Sequence, residues 1–280
     1  AVETKVGDKF NKDAIRNDMQ SIMELGYFQD IKASFKNYKD GLEVILKVVE
    51  NPVIKEVKIT GNEIYEKNHI MEIVGVEKGQ VLNVKELNNS LKNLQHKYQD
   101  NGYVLASYKN VNISKDGVLS IDIDVGHINN IILQGNDKTK DYVIKRELDI
   151  EEGQILKIDD IQNAYRNLYR LQYFKDIKPN LERVEDENNL ANLVIEVKEG
   201  ETGQFNFGAG YSTTESWFGY LTLKEKNLMG RGQNLSLDAR FGETNTYSLS
   251  FYEPWLLGTE NSFGISIYDQ RSKENKDIDG

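Results

Sequence analysis

Chemistry in a protein usually announces itself through histidines, cysteines, paired carboxylates or glycine-rich loops, and this chain offers little of that kind. His69, His96 and His127 are far apart in sequence and lack the close spacing of metal ligands, so surface or packing roles suit them better. There is no cysteine, which excludes disulfides and thiolate chemistry. Gly208-Ala-Gly210 is not followed by a helix and is no dinucleotide fingerprint. No Gly-x-Ser-x-Gly elbow occurs. Glu185-Asp186-Glu187 reads as a solvated hairpin turn. No catalytic, metal or cofactor constellation is expected. What remains is recognition through the backbone, and the stretch suited to it is Gln204-Phe205-Asn206-Phe207-Gly208-Ala209-Gly210-Tyr211.

Side chains alternate along that stretch. Phe205, Phe207, Ala209 and Tyr211 take one face, and Gln204, Asn206, Gly208 and Gly210 the other, as a strand requires. Glycine weakens strand packing, which suits a seam that must open; it also marks a bend or an interior needing room. Four more alternating segments follow, carrying Trp217, Leu221 and Leu223; Leu235, Leu237 and Phe241; Leu249 and Phe251; and Ile265 and Ile267. Dyad segments of about ten residues with aromatics near their ends fit a transmembrane β-barrel, in which those ten residues face lipid. A soluble antiparallel sheet with one face on a core alternates in the same way. Five strands cannot close a membrane barrel, so their edges must be covered by a partner, by non-native packing or by self-association of the strands. Residues 272–280 read as a charged loop, and the strand set reads as truncated.

The elements before this stretch repeat. Gly7-Asp8, Gly79-Gln80 and Gly153-Gln154 each precede a helix that leads to Tyr27, Tyr103 or Tyr173, and two strands follow. Gly61-Asn62 and Gly135-Asn136 mark turns after the first strands of the two complete units. In the middle unit the pattern predicts a strand over 53–59 with Val53, Val57 and Ile59 on one face, and a short helix over 66–74. A second helix is capped by Asn83, with Leu87, Leu91, Leu94 and Tyr98 as its buried stripe. A hairpin over 104–113 and 118–125 turns at Lys115-Asp116-Gly117. The third unit repeats the order: strand 128–134, helices 140–148 and 159–171, the latter with Ile161, Ala164, Leu168 and Leu171 inward, then strands 174–181 and 190–197. The Gly-to-Tyr interval is longest in the middle unit, so its second helix should be about one turn longer. The first unit holds one helix (11–25) and a hairpin (31–38, 42–49); it should be the least stable, and it reads as cut from a longer chain.

The fold class is therefore α+β tandem repeats (strand-helix-helix-strand-strand) followed by all-β antiparallel strands. The domains are 1–51, partial; 52–126 and 127–200, complete; and 201–280, the first five strands of a truncated barrel. The chain has 280 residues, a net charge of −10 and 39% hydrophobic residues. No basic cluster is long enough for nucleic acid. No run approaches the roughly 20 apolar residues of a membrane helix, and no secretory leader is visible.

Residues 193–199 with 202–212 resemble the junction between the last periplasmic domain and first barrel strand of the BamA-type outer-membrane assembly factors. Asn227-Leu-Met-Gly-Arg-Gly232 resembles that family's turn between strands two and three, and Tyr252-Glu-Pro-Trp255 its ending of strand four. The repeats are similar to polypeptide-transport-associated (POTRA) domains. The resemblance implies a non-enzymatic insertase in the bacterial outer membrane with POTRA domains in the periplasm. Its partners are unfolded outer-membrane protein precursors, accessory assembly subunits and outer-membrane lipid. The first barrel strand, 204–211, then templates substrate, and a POTRA edge strand, Val104-Leu105-Ala106-Ser107-Tyr108-Lys109-Asn110-Val111, receives precursors by β-augmentation. Two other members of the wider superfamily fit the pattern: a two-partner secretion transporter, which usually carries two POTRA units, and a patatin-like lipase whose catalytic domain is missing.

Overall fold

The structure, a computed structural model, describes residues 2–39, 41–184, 187–213 and 216–272. Residues 273–280, Glu185 and Asp186 lie outside them, and with them most of the expected terminal loop and the acidic turn. The chain divides into two compact units, residues 1–127 with 155–157 and 185–190, and residues 128–154 with 158–184 and 191–280.

The first unit opens on a helix, α1 (Lys12–Met23), and a two-stranded hairpin, β1 (Phe28–Tyr38) and β2 (Gly41–Glu50). Asn11 caps the helix through the amides of Asp13 and Ala14. Among described residues 2–51, Ile15 is the one buried apolar side chain, so this repeat has almost no core of its own. Asn51 ties it to the next repeat: its buried amide donates to the Gly26 carbonyl at 2.9 Å and the Leu82 carbonyl at 2.8 Å.

The second repeat carries a full core. Its strands β3 (Glu56–Thr60), β4 (Ser107–Ile113) and β5 (Val118–Asp124) form a sheet in the order β3-β5-β4, with β3 parallel and β4 antiparallel to β5. Leu119, Ile121 and Ile123 alternate inward from the central strand. They meet α2 (Lys67–Val74) and α3 (Val84–Asp100), whose Leu87, Leu91, Leu94 and Tyr98 are all buried. Each such Leu contributes roughly 1.5–3 kcal/mol. Asn83 caps α3 through the amides of Lys85 and Glu86 at 3.0 and 3.1 Å, and Gly102 takes the left-handed conformation just past its end. At 17 residues α3 is longer than the 12-residue α1 and the 14-residue α5 (Ile158–Leu171), as the longer Gly-to-Tyr interval requires.

Two expectations need correction here. Val53 is not in a strand: it makes an isolated bridge to Val81, and β3 begins only at Glu56, because the amides of Lys55 and Glu56 turn to the Gly117 carbonyl. Val104, Leu105 and Ala106 are not part of the edge strand either. The Ala106 amide returns to the Tyr103 carbonyl, closing a turn that buries Leu105 beside Gly126 and Ala106 in the core. Strand pairing starts at Ser107.

The third repeat has the same order, with β6 (His127–Gln134), α4 (Asp141–Leu148), α5, β7 (Phe174–Val184) and β8 (Glu187–Glu199), the sheet running β6-β8-β7. Ile161, Ala164 and Leu168 are buried and Leu171 is half-buried. A five-stranded antiparallel sheet follows: β9 (Gly203–Ser212), β10 (Ser216–Leu228), β11 (Gln233–Phe241), β12 (Thr244–Glu253) and β13 (Phe263–Ser272), in the order β13-β12-β11-β10-β9.

Candidate functional site

The register of the last sheet sorts its side chains. Phe205 lies opposite Leu223, Phe207 opposite Leu221, and Tyr211 opposite Trp217. Leu223 in turn faces Leu237, Leu237 faces Leu249, and Leu249 faces Ile267. Leu235, Phe251 and Ile265 form the next row, and Phe241 pairs with Gly219. Directly opposite residues share a face, so all ten residues expected to face lipid are brought onto one face, together with Phe205, Phe207 and Tyr211. Most of that face is open: Phe207 is 75%, Trp217 73% and Ile267 63% exposed. Aromatic pairs close its far end, Tyr211 with Trp217 and Phe241 with Tyr247.

The other face is polar. Thr222 donates to Asp238 at 2.7 Å, Ser236 to Asp238 at 2.9 Å, and Ser266 to Ser250 at 2.9 Å. The two glycines of the opening stretch lie on this face, under rings. A Cβ on Gly208 would sit 2.7 Å from the Tyr220 hydroxyl, and one on Gly210 2.6 Å from Phe218 Cζ. Neither glycine has a positive φ. Their role in the structure is to make room for cross-strand aromatic rings.

β9 is hydrogen-bonded on one side, to β10 over ten residue pairs, and among the described residues it has no strand on the other. Gln204–Tyr211 is therefore an edge strand, offering a row of backbone donors and acceptors. In the first unit Ser107–Val111 belongs to β4, which is likewise the outer strand of its sheet. A bulge at Lys109, whose ammonium reaches Asp124 at 2.5 Å, interrupts its ladder.

A further constellation was not foreseen. The turn between β10 and β11 docks onto the third repeat. Asn227, buried, donates from Nδ2 to Thr139 Oγ1 at 2.8 Å and accepts the Gly232 amide on Oδ1 at 2.7 Å. The Lys140 amide donates to the Gly230 carbonyl at 2.9 Å, and the Tyr173 hydroxyl donates to the Gly232 carbonyl at 3.3 Å. Gly230 has φ +75° and a Cβ there would run into the Lys138 carbonyl, so the motif's glycine is required by both conformation and contact. Glu199 braces the receiving loop, accepting the amides of Lys138 at 3.0 Å and Thr139 at 2.6 Å. Partial burial pushes its carboxyl up, but the Thr139 hydroxyl and these two amides outweigh it and hold the pKa below its ordinary value. Burial pushes the Tyr173 phenol up to about 12, keeping it a neutral donor. At the end of β12, Glu253 accepts Gln233 Nε2 at 2.7 Å and the Trp255 amide at 3.0 Å, while Pro254, lacking an N–H, ends the ladder.

Residues 1–51, 52–126 and 126–200 match the POTRA family, described as a surface antigen variable number repeat, and residues 227–279 match the Omp85 superfamily domain. A putative outer membrane protein assembly factor of Treponema pallidum is 29% identical over 225 residues, 75% of this chain and 27% of that protein. The outer membrane protein assembly factor BamA of Nitratidesulfovibrio vulgaris is 28% identical over 249 residues, 83% of this chain and 31% of that protein. The chain thus spans less than a third of the length of these relatives. Among solved structures, the N-terminal domain of Omp85 from Thermosynechococcus elongatus superposes with a TM-score of 0.63 at 26% identity, covering 72% of this chain and 89% of that one. The POTRA matches cover well over half of the sequence, and the chain belongs to the POTRA family, with an Omp85-superfamily segment following its repeats.

Proposed function

We propose that the chain is part of a non-enzymatic outer-membrane protein insertase, divided into a partial POTRA domain (1–51), two complete ones (52–126 and 127–200) and the first five strands of a membrane β-barrel (201–280). The POTRA domains, in the periplasm, receive unfolded β-barrel precursors at edge strands such as Ser107–Val111. The first barrel strand then templates their insertion, and accessory subunits and outer-membrane lipid complete the set of partners. The observation that carries this reading is the edge position of β9, hydrogen-bonded to β10 alone among the described residues. An edge strand adds another strand through backbone bonds and is tolerant of sequence, as a general insertase needs. The one-sided apolar face of the same sheet supports a lipid surface. Reconstitution of the full-length protein in liposomes tests it. Unfolded barrel precursors should insert faster than into empty liposomes; equal rates would sink the reading.

A further inference from the structure

The docked turn and the end of β12 enclose a cavity of about 350 Å³ lined by Tyr142, Arg146, Arg231, Glu253, Trp255 and Gly258. Arg146 projects into it from α4, with only 11% of its side chain exposed. Its Nε and Nη2 are buried and have no hydrogen-bond partner among the described residues. Nε makes an ion pair with Glu147 at 3.6 Å, a contact too long to be a hydrogen bond. The guanidinium lies 5.3 Å from the Trp255 ring centroid and 5.9 Å from that of Tyr142. Buried guanidinium N–H groups are costly to leave unpaired, and a guanidinium matches phosphate geometry with two parallel bonds.

The cavity is not simply cationic. Glu253 lines it together with Arg231 and Arg146, and each of its oxygens holds one intramolecular donor and has capacity for another. A bare anion would meet that carboxylate. A zwitterion would not: its phosphate pairs with the arginines, and its ammonium with Glu253 and the aromatic faces.

The position adds a second, independent argument. The β10–β11 and β12–β13 turns lie at the Phe205 end of the apolar face, where the sheet meets the third repeat. Each carries an exposed apolar side chain, Met229 at 76% and Leu257 at 94%, on a backbone with φ near +55° that non-glycine residues adopt at a cost. An apolar turn beside a polar cavity suits the boundary between acyl chains and headgroups.

We propose that this cavity binds the phosphoethanolamine headgroup of a membrane phospholipid, with Arg146 and Arg231 on the phosphate and Glu253 on the ammonium. The assignment rests on the barrel reading. The test uses the full-length protein in dodecylmaltoside, titrated with short-chain phosphatidylethanolamine, short-chain phosphatidylglycerol and inorganic phosphate, with bound species counted by native mass spectrometry. Phosphatidylethanolamine should bind about tenfold more tightly than phosphatidylglycerol, with inorganic phosphate weaker than both. Arg146→Gln and, separately, the exposed-site change Arg231→Gln should each weaken binding of both lipids about tenfold, with circular dichroism unchanged for the latter, and Glu253→Gln should remove the preference between them. Equal binding of the two lipids, tighter binding of inorganic phosphate, undiminished lipid binding in either arginine variant, or a preference that survives Glu253→Gln would overturn the assignment. Quenching of Trp217 by brominated acyl chains in liposomes reports separately on the membrane face. Quenching without headgroup preference leaves the barrel and removes the site, whereas loss of quenching removes both.

Discussion

Asn227 and Thr139 are joined by a buried 2.8 Å hydrogen bond, and the same Asn227 side chain holds the Gly232 amide at 2.7 Å. One amide group thus fixes the shape of the β10–β11 turn and seats it on the loop before α4. Replacing Asn227 by Ala strands the buried Gly232 amide and removes the donor to Thr139 Oγ1, whose hydroxyl still donates to Glu199, at a cost of about 1–3 kcal/mol. We expect a lower urea midpoint and faster hydrogen exchange at Gly232. Asn227→Asp keeps the acceptor and loses the donor, so Gly232 should stay protected while the seat on Thr139 loosens.

Gly208 and Tyr220 should behave as a pair. Gly208→Ala places a methyl against the outer end of the Tyr220 ring, which is partly exposed and can swing aside, so the cost should be about 1 kcal/mol, the low end for overpacking. Tyr220→Ala in the same chain should recover most of that loss. A double-mutant cycle showing simple additivity would contradict the contact.

Stability should be uneven along the repeats. Leu94, 1% exposed at the centre of the second core, should cost about 2–5 kcal/mol on replacement by Ala. The first repeat, with Ile15 as its buried apolar anchor, should exchange its amides fastest whether or not Leu94 is changed. Protection in β1 and β2 equal to that in β5 would contradict this.

Acid should loosen the docked turn. The folded-state pKa of Glu199 is lowered, so its contribution is complete above the ordinary carboxylate range and is lost as pH falls through the depressed folded value. Thr139 and Lys138 amide exchange, corrected for the intrinsic rate, should rise over that acid window in the native chain. In Glu199→Gln the same exchange should be flat with pH.

Much of this architecture is legible from local pattern. The Leu87, Leu91, Leu94 and Tyr98 stripe, the Asn83 cap and the Asp116-Gly117 turn are short-range signals, and the elements they specify are in place. The alternation after residue 203 likewise carries the faces of all five strands, because pairing register preserves a period of two. Two details escaped because tertiary contacts overrode the pattern. Leu105 and Ala106 look like strand residues but close a turn over the core, and Val53 bridges to Val81 instead of extending β3. The partner of Asn227, 88 residues away, and the rings above Gly208 and Gly210 depend on docking and register, which a glycine or asparagine cannot disclose in isolation. The greater length of α3 was readable because the middle repeat has the longest Gly-to-Tyr interval.

The most direct test of the account is site-specific disulfide or bismaleimide cross-linking from single cysteines placed along residues 204–211 of the full-length protein, with any other cysteine replaced by serine. The proposal requires cross-links to the terminal strand of an arriving barrel precursor, alternating in strength with the strand's period of two. Cross-links confined to Ser107–Val111 and the other repeat edges, with none along β9, would contradict it.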